Sequence, residues 1–384
     1  MLAINLLVFP VSFLFYLIFP AKKIHVDTSD FFGMSINLDK NPQQSRALID
    51  ELQVNNLLIR VPLSDIQNLP AYVSFASDYK DKNLLVNILQ DRRHIEDLAL
   101  LKQSLEQIFE AFSPLTKRFQ IGNAINRKKW GFFSMDEYLA FFKVAHDLKK
   151  QRFPELLLLG SSIIDFEYYF TIRTLFNRYK IYFDQCSSLL YVDRRGAPEN
   201  PQMGLNLIGK LQFLQSILRL SPKSGKQIII TETNWPISHT APYAPTSEKE
   251  CVSLDDHASF LVRYYLLALA SGVARQVYWH QLIAPGYGLI DNREGELIRY
   301  PAFFAFKNML QQLQHMSFVS INKHSDYYSV LFQHNNSERT LKVCWSLDSA
   351  VINTQNRQII SRDGKRLKAA NTTRIGHAPV YLLT

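Results

Sequence analysis

From Phe31 to about Ser317 the chain alternates short apolar runs with longer segments in which apolar residues recur every three or four positions. The short runs read as strands: Phe32–Ile36, Leu57–Val61, Leu84–Leu89, Phe119–Gly122, Leu156–Gly160, Phe183–Tyr191, Gln227–Glu232 and Gln276–Trp279. The segments between them read as amphipathic helices: Gln43–Leu52, Ile95–Phe112, Met135–Lys150, Tyr168–Tyr179, Leu205–Leu218, Leu254–Ser271 and Tyr300–Leu313. Ser253 followed by Asp255 and Asp256 is a helix start, with a capping hydroxyl and acids in the first turn. Runs such as Ile228–Ile230 are apolar without alternation, as in parallel strands buried on both faces. Eight strand–helix repeats over about 280 residues predict a (β/α)8 barrel, with an open doubly wound sheet as the competing arrangement.

Past Ser317 the pattern shortens. Tyr327–His334, Thr340–Trp345, Val351–Ile352, Gln358–Ser361 and Pro379–Leu383 are β-like runs separated by polar turns such as Asp363-Gly364-Lys365. The expected organisation is therefore a hydrophobic N-terminal segment over 1–23, a barrel over 24–316 and a small antiparallel β-domain over 317–384. Leu2 to Pro20 carries no charged side chain, and its length is that of a membrane-spanning helix. Neither a basic start nor a small-residue cleavage site is present, so the segment reads as an uncleaved anchor. Lys22-Lys23 after it would hold the barrel on the cytoplasmic side of an inner membrane. A buried N-terminal tail is the alternative, since Pro10 and Pro20 suit a helix poorly.

Composition narrows the function classes. Of the 384 residues 47% are hydrophobic and 20% charged, enough for a large core. Three widely spaced cysteines, Cys186, Cys251 and Cys344, do not make a disulfide framework. No metal-ligand spacing, phosphate-binding glycine loop or RNA-binding signature is present, so no metal, cofactor or nucleic-acid partner is expected. The net charge of +9 points instead to an acidic partner, an anionic membrane surface or an acidic cell-envelope glycan. Oligomeric state has no signature here.

Barrel chemistry sits where strands end. The fourth run ends Ile-Gly-Asn-Ala-Ile-Asn, the sixth Leu-Tyr-Val-Asp-Arg-Arg-Gly, the seventh Thr-Glu-Thr-Asn-Trp-Pro and the eighth Tyr-Trp-His-Gln-Leu. Glu232 stands out, because burying a carboxylate costs several kcal/mol unless it is paired. Read locally, it is either a functional group aimed into the rim crevice or a strand-end carboxylate paired with Arg60. Taken in order, these strand ends resemble those of the clan A retaining glycoside hydrolases, barrels with a C-terminal β-domain such as the β-xylosidase-like families. The likeness runs from about Phe31 to the C-terminus. It implies that Glu232 matches the catalytic nucleophile and Asn123 the Asn that precedes the acid/base. It implies too that Tyr191 matches an aromatic position near the nucleophile, and Trp279 the strand-eight sugar platform. Arg60 matches an Arg that hydrogen-bonds the nucleophile and keeps it ionised.

One position departs from that pattern. Where the acid/base Glu should follow Asn123 the chain has Ala124, which can neither give nor take a proton. Substitute donors would be Asp165, Glu167, Asp193, Glu199 or His280, each otherwise a loop or core residue. Trp130, Tyr191, Trp235, Trp279 and Tyr287 are candidate sugar platforms, with core packing as the alternative. Asn126 and Arg127 sit on the same rim; Arg127 and Arg194 would suit a carboxylate or phosphate on a sugar, unless the loop is merely a solvated basic one. The expected protein is a membrane-anchored, retaining-type glycosidase-like chain. A non-catalytic glycan-binding module and a transglycosylase are the competing readings.

Overall fold

The computed structural model describes residues 2–193, 196–355, 357–368 and 370–383. Helix α1 (Leu2–Ile18) precedes β1 (Phe32–Ile36), α2 (Pro42–Leu52), β2 (Asn56–Pro62), α3 (Leu69–Ser77) and β3 (Asn83–Leu89). Next come α4 (Arg92–Glu96), α5 (Leu98–Phe112), β4 (Arg118–Ile121), α6 (Met135–Arg152), β5 (Leu157–Ile164) and α7 (Tyr168–Leu175). The circuit ends with β6 (Gln185–Leu189), α8 (Leu207–Leu220), β7 (Ile228–Thr233), α9 (Leu254–Ala270), β8 (Ala274–Trp279) and, after a short ribbon of β9 (Ile290–Asp291) with β10 (Ile298–Arg299), α10 (Pro301–Leu313). Strands β1 to β8 close into a parallel barrel, β8 pairing back onto β1 through Phe32–Val277 and Met34–Trp279. The open sheet is ruled out.

Alternation across each strand sorts the apolar residues. Leu58, Leu85, Leu159, Ile229 and Tyr278 meet in the barrel lumen, while their neighbours in sequence face the helices. Gly33 is required there: a Cβ would lie 2.5 Å from the Tyr278 ring. Helix ends follow their caps. Ser134 and Ser253 accept from the third N–H of α6 and α9. Asp97 accepts from Ala99 and Leu100, which is why the helix expected over Ile95–Phe112 breaks into α4 and α5. Helix α3 has no counterpart in the sequence reading, because Leu69-Pro-Ala-Tyr-Val-Ser-Phe-Ala is apolar on all sides and shows no one-sided period.

The remainder is β11 (Met316–Lys323), β12 (Tyr328–His334), β13 (Thr340–Trp345), β14 (Ala350–Asn353), β15 (Gln358–Ile360), β16 (Arg366–Leu367), β17 (Thr372–Ile375) and β18 (Val380–Leu383). Six of these form a sheet in the order β11-β12-β13-β18-β15-β16, with β14 and β17 as a separate ribbon. One sheet face, through Val330, Phe332, Val343 and Tyr381, joins the barrel's own core; the other packs Cys344, Ile359 and Leu382 on the ribbon. The β11 strand escapes sequence reading because Ser320, Asn322 and Lys323 interrupt its apolar positions. All three cysteines are free thiols.

Among the described residues no helix is long and apolar enough to cross a membrane. In place of the expected spanning anchor, α1 lies along the barrel wall, its Phe9 and Phe13 edge-on to Phe213 of α8 at 5.2 and 5.6 Å.

Barrel and sheet are tied by a buried ion pair. Glu199, in the loop after β6, accepts from Arg263 Nε of α9 at 2.9 Å and from Trp345 Nε1 of β13 at 2.7 Å. Arg263 is fully buried and Glu199 nearly so. The Glu199→Ala change should therefore cost about 3–5 kcal/mol, the penalty for stranding a buried charge, whereas Glu199→Leu with Arg263→Met should cost much less. Urea unfolding midpoints of the two variants measure the difference.

Candidate functional site

The site is built on β7. Ile229 points into the lumen, and strict alternation would send Glu232 outward. Pairing between β7 and β8 slips between Ile230 and Thr233, however, and that irregularity turns the carboxylate inward. Its Oε1 accepts a 2.6 Å hydrogen bond from the Tyr191 hydroxyl, and its Oε2 one of 3.3 Å from Asn123 Nδ2. Asn123 is itself fixed on every side. Its Oδ1 accepts from Asn87 and Gln120 at 3.1 Å each, its backbone N–H donates to Gln90 Oε1, and Gln90 Nε2 donates back to its carbonyl.

Burial raises the proton affinity of Glu232, but attraction to the His280 ring whenever that ring is protonated, the permanent charge of Arg60 and the hydrogen bonds from Tyr191 and Asn123 outweigh it, so its pKa falls below the ordinary value. The group is an ionised carboxylate. Arg60 acts through space: its Nη1 lies 3.4 Å from His280 Nε2, and it is not among the hydrogen-bond partners of Glu232. The hydrogen bond expected from Arg60 to the nucleophile is thus replaced by a longer-range field. Gln281 Nε2 also meets His280 Nε2, at 3.3 Å. Two donors facing one nitrogen require the imidazole to accept there.

The expected substitute acids are placed elsewhere or occupied. Burial pushes His280 down to about 4, with Glu232 opposing and Arg60 adding to the fall, so near neutral pH it has no proton to give. Glu199 is the buried link described above. Asp165 and Glu167 hold Arg127 at 2.5 and 2.8 Å, and Asn126 donates to Glu167 at 2.7 Å. Arg127 is therefore committed to the chain's own carboxylates, and its expected role toward an anionic sugar is not supported by this placement. Arg194 lies outside the described residues. Ala124 adopts a left-handed φ of 47° and packs against Leu189, Tyr191 and Ile164, which form an apolar wall around it.

The aromatic candidates divide. Trp235 and Trp279 are fully buried and stacked on each other at 5.8 Å, because Trp279 follows inward-facing Tyr278 and so lies behind the barrel wall against α9. As platforms they offer no open face, which corrects that expectation. Sequence reasoning offered Tyr287 as a platform and His280 as an acid but missed that the two stack as a pair, at 5.6 Å and 12°, with Tyr287 half-buried. Trp130 is half exposed on the rim, its carbonyl accepting from Gln90. Asn87 and Gln90 were also missed. They stand at the end of β3, and the parallel pairing of β3 with β4 brings them to Asn123. Beside Tyr191 opens a hollow of about 330 Å³ lined by Asp165, Glu167, Asp193, Gln202, Thr246 and Glu250. Among the described residues no cluster of His, Cys, Asp or Glu could hold a metal ion.

No family model matches the chain, and no curated protein does. Solved structures do. A family 39 glycoside hydrolase from Bacteroides cellulosilyticus WH2 superposes with a TM-score of 0.70 at 14% identity, covering 93% of this chain and 81% of that one. A family 39 β-xylosidase from Caulobacter crescentus gives 0.62 at 10%, covering 94% and 97%. A family 30 endoxylanase from Clostridium papyrosolvens C71 gives 0.60 at 10%, covering 95% and 97%. The chain thus has the fold of the clan A glycoside hydrolases, a closed eight-stranded parallel barrel with an added antiparallel β-sheet.

Titration tests the electrostatics. A histidine whose folded pKa lies below its unfolded value leaves the native state short of a proton between the two. Stability then falls as pH drops from about 6.5 to 4 and levels off below. At about 1.4 kcal/mol per pH unit, His280 contributes about 3 kcal/mol to that fall, and His280→Gln should remove it. Nuclear magnetic resonance of the imidazole should show titration near 4; an ordinary value near 6.5 would contradict the site as described.

Proposed function

We propose that the chain acts on a glycosidic bond, with Glu232 as the nucleophile of a retaining mechanism that works without the usual carboxylic acid. The observation that carries this reading is a single ionised carboxylate at the end of β7, held by Tyr191 and Asn123 and facing partly open space. In the first step a Glu232 oxygen bonds to the anomeric carbon while the glycosidic C–O bond breaks, its electrons leaving with the aglycone oxygen. In the second, water or another acceptor displaces Glu232 from the glycosyl ester, and the released proton passes to solvent. Ala124 cannot protonate the leaving oxygen, so a leaving group that is stable as an anion is favoured.

The names of two of the structural neighbours, a β-xylosidase and an endoxylanase, suggest a pentosyl substrate. Carboxyl groups dominate the hollow beside Tyr191, which favours a neutral saccharide over the anionic one suggested by net charge. One observation favours a second reading, saccharide binding without turnover: the apolar wall around Ala124.

Kinetics separate the two. Dinitrophenyl glycosides, whose phenolate needs no proton, should be turned over, and alkyl glycosides slower by about 10²–10⁴, the usual worth of general acid catalysis. Azide should accelerate turnover and yield a glycosyl azide of retained configuration. Glu232→Gln should abolish both reactions. Saccharide affinity with no turnover of any activated glycoside would leave the binding reading standing alone.

A further inference from the structure

Helix α1 is apolar on two sides, and only one of them is used. Phe9, Ser12 and Tyr16 turn toward the barrel, where Phe9 and Tyr16 pack on Phe213. Leu6, Leu7, Leu14, Leu17 and Ile18 turn away, with exposures of 71, 69, 56, 63 and 60%. Half-exposed Val11 completes the steps of four, three and four from Leu7 through Leu14 to Ile18, which put these residues in one stripe unbroken by any charged or polar side chain. A contiguous exposed apolar surface of this kind marks an interaction site. Cations flank it. Lys22 and Lys23 follow its C-terminal end, and Arg219 reaches across to donate to the Pro20 carbonyl at 3.2 Å, its guanidinium 4.6 Å above the Phe15 ring. At the other end Arg173 and Arg178 share a groove of about 440 Å³ with Ile4, with Asp136 as its one acidic member.

We propose that this stripe seats the protein on an anionic lipid surface, with α1 lying in the headgroup–acyl boundary rather than crossing the bilayer. At 1.5 Å per residue the 17-residue helix is about 25 Å long, short of the roughly 30 Å hydrocarbon core. Crossing would also strip Phe9 and Tyr16 from Phe213. Lying flat keeps those contacts and buries only the free stripe, while the cations at both ends meet lipid phosphates. A second copy of the chain is the poorer occupant: pairing α1 with α1, parallel or antiparallel, brings cationic ends against cationic ends. The inference is independent of the chemistry at Glu232.

Vesicle flotation of the full chain tests it. Phosphatidylcholine vesicles containing phosphatidylglycerol should carry the protein up, pure phosphatidylcholine should carry much less, and salt should weaken the binding. Leu14→Glu with Leu17→Glu should lower the partition constant by at least about tenfold, since two exposed leucines give up their burial and two anions are added. Both side chains are solvent-exposed, so the melting temperature should stay unchanged and a lost contact is distinguishable from a lost fold. Tryptophans placed singly at Leu6, Val11 and Leu17 should be quenched at one shallow depth, about 5–10 Å into the boundary. A deep Val11 between shallow Leu6 and Leu17 would mean a span and overturn the proposal. So would a dimer broken by the double variant without vesicle binding, or binding indifferent to lipid charge.

Discussion

An ionised carboxylate that is largely withdrawn from solvent has to be held by donors, and the rim of this barrel is arranged to do that. Glu232 takes a hydrogen bond on each oxygen, from Tyr191 after β6 and Asn123 after β4, and feels the permanent charge of Arg60 from β2. These groups lie far apart in sequence and meet only because eight parallel strands close on themselves. The same requirement explains the neutral His280. With Arg60 at 3.4 Å and burial all round, a second positive charge at that point would cost more than Glu232 returns, so the ring accepts hydrogen bonds instead of carrying a proton.

The hydrogen bonds of that carboxylate come from a hydroxyl and an amide and none from a second carboxyl. Every carboxyl that sequence offered as its partner is either buried against Arg263, bound to Arg127 or part of the acidic hollow beside Tyr191. Leu189, Tyr191 and Ile164 close around Ala124 in a packed apolar surface.

Asp165, Glu167, Asp193 and Glu250 line the hollow beside Tyr191, the first two paired with Arg127, while cations flank the exposed stripe of α1 at both ends. The Glu199–Arg263–Trp345 link joins the loop after β6, α9 and the β-sheet, holding the sheet against the barrel beside the loop that also supplies Tyr191.

The eight strands, most of the helices, the C-terminal β-texture and the prominence of Glu232 were legible in the amino-acid sequence, because each is a local pattern: period two, period three to four, or a charge inside an apolar run. Tertiary structure alone decided which way side chains turn at strand ends. A slip in register aims Glu232 inward, while one step of alternation sends Trp279 behind the wall and brings His280 to the front. It also decided which partner a charge takes, binding Arg127 to Asp165 and Glu167 where sequence suggested a ligand. And it laid the apolar N-terminal segment along the barrel, since hydropathy reports how apolar a helix is but not what lies beside it.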